Sequence, residues 1–243
     1  MTPAAQDPLA ILSEQREDLK AERLRIEKAY CIAVLDHITA KIRAACPQAA
    51  YVAIAFYSSR TIDLHGVLGA QPSPHGTRPE LWDNYGEPED EHPLDDIADE
   101  IQSDVQAVLA PHSSPAWASV HRNTASDGNS WLLELPPADR GARVSELVRE
   151  HYPEATALVV DGRMAKRVIE VIEGVVDDSI LAGTPRPAWP ADCHAAIVGL
   201  LAQVLALPAL VDRHLMPLPG GYLPPFGMGI SDQAYLMPLP PTA

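Results

Sequence analysis

The chain has 243 residues, an apolar fraction of 47% and a formal net charge of −15. A length of this order buries roughly 70% of its unfolded surface without help from metals or disulfides. Three scattered cysteines, Cys31, Cys46 and Cys193, are too few for a disulfide framework or a zinc knuckle and suit a reducing cytoplasm. The acidic balance argues against a nucleic-acid binder working by phosphate neutralisation.

The N-terminus reads as one long helix, with Asp7 as N-cap and Pro8 at the first helical position. Its first half is heavily charged. Leu12, Leu19 and Ile26 recur there by sevens, while Arg16, Arg23 and Tyr30 occupy the intervening seam positions, so only half of a coiled-coil pattern is present. In the second half Ile32, Leu35, Ile38 and Ile42 form a broad stripe expected to face a core. The expectation is a solvated extension running into a packed helix, with a helix-mediated oligomer as the sharper alternative.

Beyond Pro47, YVAIAFYSS and RTIDLHGVLGA read as a β-hairpin from their β-branched and aromatic content. A loop over 71–93, rich in Pro, Gly and acids, precedes a helix marked by Leu94, Ile97, Ile101, Val105 and Leu109. The acids at its start complement the helix dipole and lack the spacing of a calcium loop. AWASVHR and SWLLELP form a second hairpin; RVSELVREHY reads as a helix, TALVVDG as a buried strand and RMAKRVIEVIEGVV as another helix. A Pro-rich linker leads to an apolar helix over 192–207. The apolar stretch 195–211 is short for a membrane span, contains Gln203 and Pro208, and is read as a core helix. No basic-then-apolar leader is visible in the first residues.

The last thirty residues, 214–243, carry the pentapeptide Leu-Met-Pro-Leu-Pro twice, at 215–219 and 236–240. Seven prolines and four glycines after Leu215 argue against a regular helix or central strand. The segment also displays much apolar surface, whose burial contributes roughly 1.5–3 kcal/mol per large side chain. An extended docked strap is therefore expected, lying either on its own body or on a neighbour.

The predicted fold is α+β: a mixed or antiparallel sheet with helices packed on it, a long N-terminal helix and an extended Pro-rich C-terminal tail. Its expected divisions are the N-terminal helix 1–46, a body 47–182, a linker and apolar helix 183–213, and the tail 214–243. No sequence repeat longer than the tail pentapeptide is evident.

Three groups of residues are candidates for function. Leu215, Met216, Leu218, Tyr222 and Leu223, followed by Phe226, Met228, Tyr235, Leu236, Met237 and Leu239, are expected to bind a protein partner or a second subunit. Asp63 and His65, two apart on a strand, could join His121 at a metal. Asp161 ends a buried strand that is expected to lead into a helix; it could ligate a metal, with Lys166 neutralising a phosphate. No Walker loop, nucleophile elbow or His-Glu-x-x-His helix occurs, and no cofactor signature. The sequence thus favours a cytoplasmic, non-enzymatic interaction or assembly protein engaging a partner through its tail, with no membrane or nucleic-acid role. An accessory protein of a phage or other mobile element would fit this build. The alternative is a metal-dependent phosphoester hydrolase or nuclease-like enzyme centred on Asp161.

Overall fold

A computed structural model describes residues 8–58, 61–70, 77–86, 92–126, 129–163, 167–177, 180–185, 187–220, 222–224 and 230–240. Among these the chain is α+β, with five α-helices and two antiparallel five-stranded sheets. Asp7, the expected N-cap, lies outside the described residues.

Helix α1 (Pro8–Ala45) has 38 residues and runs roughly 57 Å at 1.5 Å per residue. Ile32, Leu35, Ile38 and Ile42 are fully buried, as their spacing predicts. The first sheet follows from β1 (Ala49–Ser58), β2 (Thr61–Gly69), β3 (Glu80–Asp83), β4 (Val120–Arg122) and β5 (Ser130–Glu134), in spatial order β3-β2-β1-β5-β4. Helix α2 (Ala98–Leu109) and a 3-10 turn, Pro115–Ser119, precede β4. The buried face of α1, α2 and one face of this sheet share a core that includes Val52, Ile54, Leu64, Ile101, Val105 and Leu133.

The second sheet is made by β6 (Ala157–Asp161), β7 (Arg167–Asp177), β8 (Ile180–Pro185), β9 (Met216–Pro217) and β10 (Ala234–Pro238), in the order β8-β7-β6-β10-β9. Helices α3 (Arg140–Arg149), α4 (Ala191–Ala206) and α5 (Pro208–His214) accompany it. Its main core joins Val144, Leu158, Val171, Ile197, Leu201 and Met237.

The two halves repeat one another. Each runs helix, three strands, helix, a short proline-initiated helical turn, two strands, and each sheet has the same strand order. The registers coincide too. Val52 pairs with Val67 on one side and Leu133 on the other; Leu158 pairs in the same way with Val171 and Met237. Between Ala53 and Ile54 the partner on β2 jumps from Gly66 to Leu64, and between Val159 and Val160 the partner on β7 jumps from Glu170 to Val168. A one-residue bulge therefore sits at the same place in both sheets, at His65 and at Ile169. Even the closing hydrogen bonds match: Leu135 N–H donates to Ala50 C=O at 2.8 Å, and Leu239 N–H to Thr156 C=O at 2.9 Å. Equivalent positions such as Val52/Leu158 and Leu133/Met237 share hydrophobicity rather than identity, so the sequence shows no repeat.

Several expectations are corrected: the one expected sheet is two, β3 lies within the stretch 71–93 expected to be a loop, and β8 runs into the expected linker. Residues 167–177 form a strand, not a helix. The bulge sends Val168 and Val171 toward one core and Ile169 and Ile172 toward the other face, so the apolar residues recur every three positions and imitate a helix. The tail, in turn, supplies β9 and β10, and β10 lies inside the sheet. Pro238 is tolerated because it opposes Ala157 in a pair that exchanges no hydrogen bond, while the Leu239 amide makes the next bond to β6. On its other flank β9 pairs only with Tyr235 and Leu236, so the missing donor is not needed. The two pentapeptide copies thus lie side by side, with Met216 opposite Leu236 and Pro217 opposite Tyr235.

Described residues between β9 and β10 cover the outer face of their own sheet. Leu218, Tyr222 and Ile230 pack with Leu236 on Ala157, Val159, Ile169 and Ile172. Tyr222 O–H donates to the buried Glu170 carboxylate at 2.8 Å. Burial and that bond push the Tyr222 phenol well above its ordinary pKa.

The halves meet where α4 packs on the 3-10 turn and on α1. Gly199 permits this approach, since a Cβ there would lie 3.1 Å from that of Ala118. A buried polar chain crosses the seam. Arg140 on α3 donates to Gln203 on α4 at 2.7 Å and to Asp36 on α1 at 2.5 Å, and Gln203 donates to Ser119 at 2.9 Å.

Candidate functional site

The tail residues expected to bind a partner are mostly occupied within the chain itself. Leu215, Met237 and Leu239 are buried in the second core, and Leu218, Tyr222, Tyr235 and Leu236 are half-buried against it or against the outer cluster. Of the described candidates only Met216, 48% exposed, and Leu223, 85% exposed, are exposed; Phe226 and Met228 lie outside the described residues. Apolar strands complete a five-stranded sheet at less cost than they could wait in water for a neighbour. Of the two placements expected for the tail, its described residues take the one on the chain's own body.

Asp161 is likewise committed to the fold. It ends β6 in a hairpin rather than in a strand-to-helix turn, and is 1% exposed. Its carboxylate accepts from Ser231 Oγ at 2.7 Å and from the backbone amides of Arg163 at 3.0 Å and Ser231 at 3.3 Å, which ties the β6–β7 turn to the tail. Asp63 and Glu134 lie in the other sheet, and Lys166 lies outside the described residues. Replacing Asp161 with alanine is expected to cost about 1–3 kcal/mol through its unpaired donors. It should leave bound metal unchanged, read by thermal melting and elemental analysis of the same samples.

Asp63 and His65 do share a face, with His65 Nε2 at 3.7 Å from Asp63. His121 does not join them: it lies on β4, three strands away, beside Glu134 at 3.5 Å. The partner of Asp63 is Tyr85, whose hydroxyl donates to it at 2.5 Å and whose pKa that bond pushes up to about 12. The group is a polar patch on the sheet's open face, with the phenol held protonated.

One further set of potential ligands comes together between α1 and α2. His37, Glu100 and Asp104 place ligand atoms within 4.8 Å of one another. Lys41, one turn beyond His37, already pairs with Glu100 and holds its carboxyl below the usual range. A cation entering this set would have to displace that ammonium. A cleft of about 380 Å³ lies at the junction of the halves, bordered by Arg43, His121, Glu134, Arg143 and Gln203. Several of its polar groups have local partners: His121 faces Glu134, Arg143 pairs with Glu146 at 2.9 Å, and Arg43 donates to the Pro136 carbonyl at 2.8 Å.

Among the described residues, a bare apolar stripe stands out on α1. Residues 9–26 are exposed throughout, and Leu12, Leu19, Ile26 and Tyr30 stand 61%, 72%, 56% and 56% exposed. At about 100° per residue these four fall on one stripe, on the side of the helix opposite Ile32, Leu35 and Ile42. The helix therefore carries two apolar stripes back to back, one buried and one bare. Leu12, Leu19 and Ile26 are legible in the sequence by their spacing of seven.

No family model, curated protein or solved structure matched the chain. Among the described residues no single helix is long and apolar enough to cross a membrane. Helices α4 and α5 reach that length and apolarity only together, with a 113° bend between them.

Proposed function

We propose that this chain is a non-enzymatic interaction or assembly protein of the cytoplasm, and that its contact element is the projecting half of α1. The observation that carries the reading is the bare stripe of Leu12, Leu19, Ile26 and Tyr30. Single exposed leucines are ordinary, but an aligned set rimmed by charges marks a surface for another protein. The buried half of α1 builds the first core, while Leu12, Leu19, Ile26 and Tyr30 are exposed and belong to none of the described core clusters. Such an extension has a use if a partner covers it.

The phosphoester-hydrolase alternative draws no support from Asp161, whose described contacts are those of a turn and tail clasp.

Sedimentation of source-cell extract tests the reading, comparing the native chain with a Leu12→Glu, Leu19→Glu, Ile26→Glu triple variant. The native chain should run in a species heavier than 26.2 kDa and the variant at monomer mass. Identical sedimentation of the two overturns it.

A further inference from the structure

We infer that the partner of the α1 stripe is a second copy of this chain, paired antiparallel along residues 8–30; this rests on the interaction reading above and specifies its occupant. Charge is the first argument. Between Pro8 and Lys28 there are five acids (Glu14, Glu17, Asp18, Glu22, Glu27) and five bases (Arg16, Lys20, Arg23, Arg25, Lys28), so this segment is neutral while the rest of the chain carries the whole −15. Two copies repel one another over most of their surface, and the projecting helix is the place where they can approach without that repulsion. Several of these charges are already paired along the helix, Arg25 with Glu22 at 2.6 Å and Lys20 with Glu17 at 3.6 Å. The flanks of the stripe therefore present no excess of either sign.

Spacing is the second argument. Leu12, Leu19 and Ile26 repeat by sevens, and this repeat keeps one seam facing a second helix along its length. On the opposite side of α1, Leu24, Arg25 and Lys28 border a groove with Val211 and Tyr235 of the same chain.

Polarity follows from the seam and the bodies. Arg16 and Arg23 lie between the leucines, and parallel in-register helices would set each arginine on its own copy. Parallel pairing would also put the two acidic bodies side by side at one end. Antiparallel pairing separates them by the exposed length, roughly 28 Å for residues 8–26 at 1.5 Å per residue. That is several times the ~8 Å screening length at physiological salt.

The test uses the purified full-length chain. Light scattering across a dilution series should give twice the 26.2 kDa monomer mass at the concentrated end, and Leu19→Glu should give the monomer mass throughout with an unchanged melting temperature. The three native cysteines are buried, so engineered thiols report orientation. Leu12→Cys alone should not cross-link to itself, whereas Leu12→Cys mixed with Ile26→Cys should. A native chain that stays monomeric at every concentration overturns self-pairing. If that chain still runs in a heavier species in extract, the interaction reading survives with a different partner; monomer in both settings overturns both. A Leu12→Cys homodimer overturns the antiparallel arrangement.

Discussion

Removing residues 215–243 is expected to unfold the second sheet rather than release a folded, partner-blind body. The deletion takes out β10, which has neighbours on both flanks, together with the edge strand β9. Three buried side chains go with them, Leu215, Met237 and Leu239. At roughly 1.5–3 kcal/mol each these contribute about 4–9 kcal/mol, comparable with the 5–15 kcal/mol that holds a typical domain. The outer cluster also loses its cover from Leu218, Tyr222, Ile230 and Leu236. Because the first sheet has its own core, circular dichroism should show partial loss of structure, with one cooperative transition surviving. Met237→Ala is the milder counterpart and should cost about 2–5 kcal/mol, read from the urea midpoint. A truncated chain that melts like the native one would return the tail to the role of a detachable strap.

The second large effect is expected at the seam. Arg140 is 4% exposed and is held by Gln203 and Asp36. Asp36→Ala leaves a buried guanidinium short of its anion. The loss of a buried pair's partner can reach 3–5 kcal/mol, but the Asp36 side chain is 36% exposed, so about 2 kcal/mol is expected. Adding Arg140→Met should recover part of this, since the penalty resides in the stranded charge rather than in the absent contact. The cycle of single and double variants in urea isolates the coupling. Because the pair links α1 to α3 and α4, Asp36→Ala should also separate the unfolding of the two halves. Equal loss in the single and double variants would show that the pair itself, not the orphaned cation, matters.

Much of the first half was legible in the sequence. The hairpin after Pro47, α2 and the second hairpin obey simple periodicities, and Ile32, Leu35, Ile38 and Ile42 are buried as their spacing requires. The second half obscured itself in two ways. At β7 the bulge makes the pattern Val168-Ile169-Glu170-Val171-Ile172 repeat by threes, although the wealth of β-branched residues pointed to a strand. At β9 and β10 the prolines spoke against strands; they are harmless because one lies at a sheet edge and the other opposes a pair without hydrogen bonds. The tail's apolarity, in its described residues, forms a wall of the second core and a cover on the outer face of its sheet. The half-heptad of Leu12, Leu19 and Ile26 is legible by its spacing, and all three side chains are exposed.

Both sheets are completed by long-range closure. Tyr51 meets Glu134 and Ala157 meets Pro238, each pairing about 80 residues apart along the chain. In each half the β1-type strand has one neighbour close in sequence, while its other flank is filled by a strand about 80 residues away. Such topology makes for slow folding and a lasting sticky edge. The refolding rate of either half should consequently be set by the arrival of its last hairpin, and crowding of nascent chains should be hazardous during that interval.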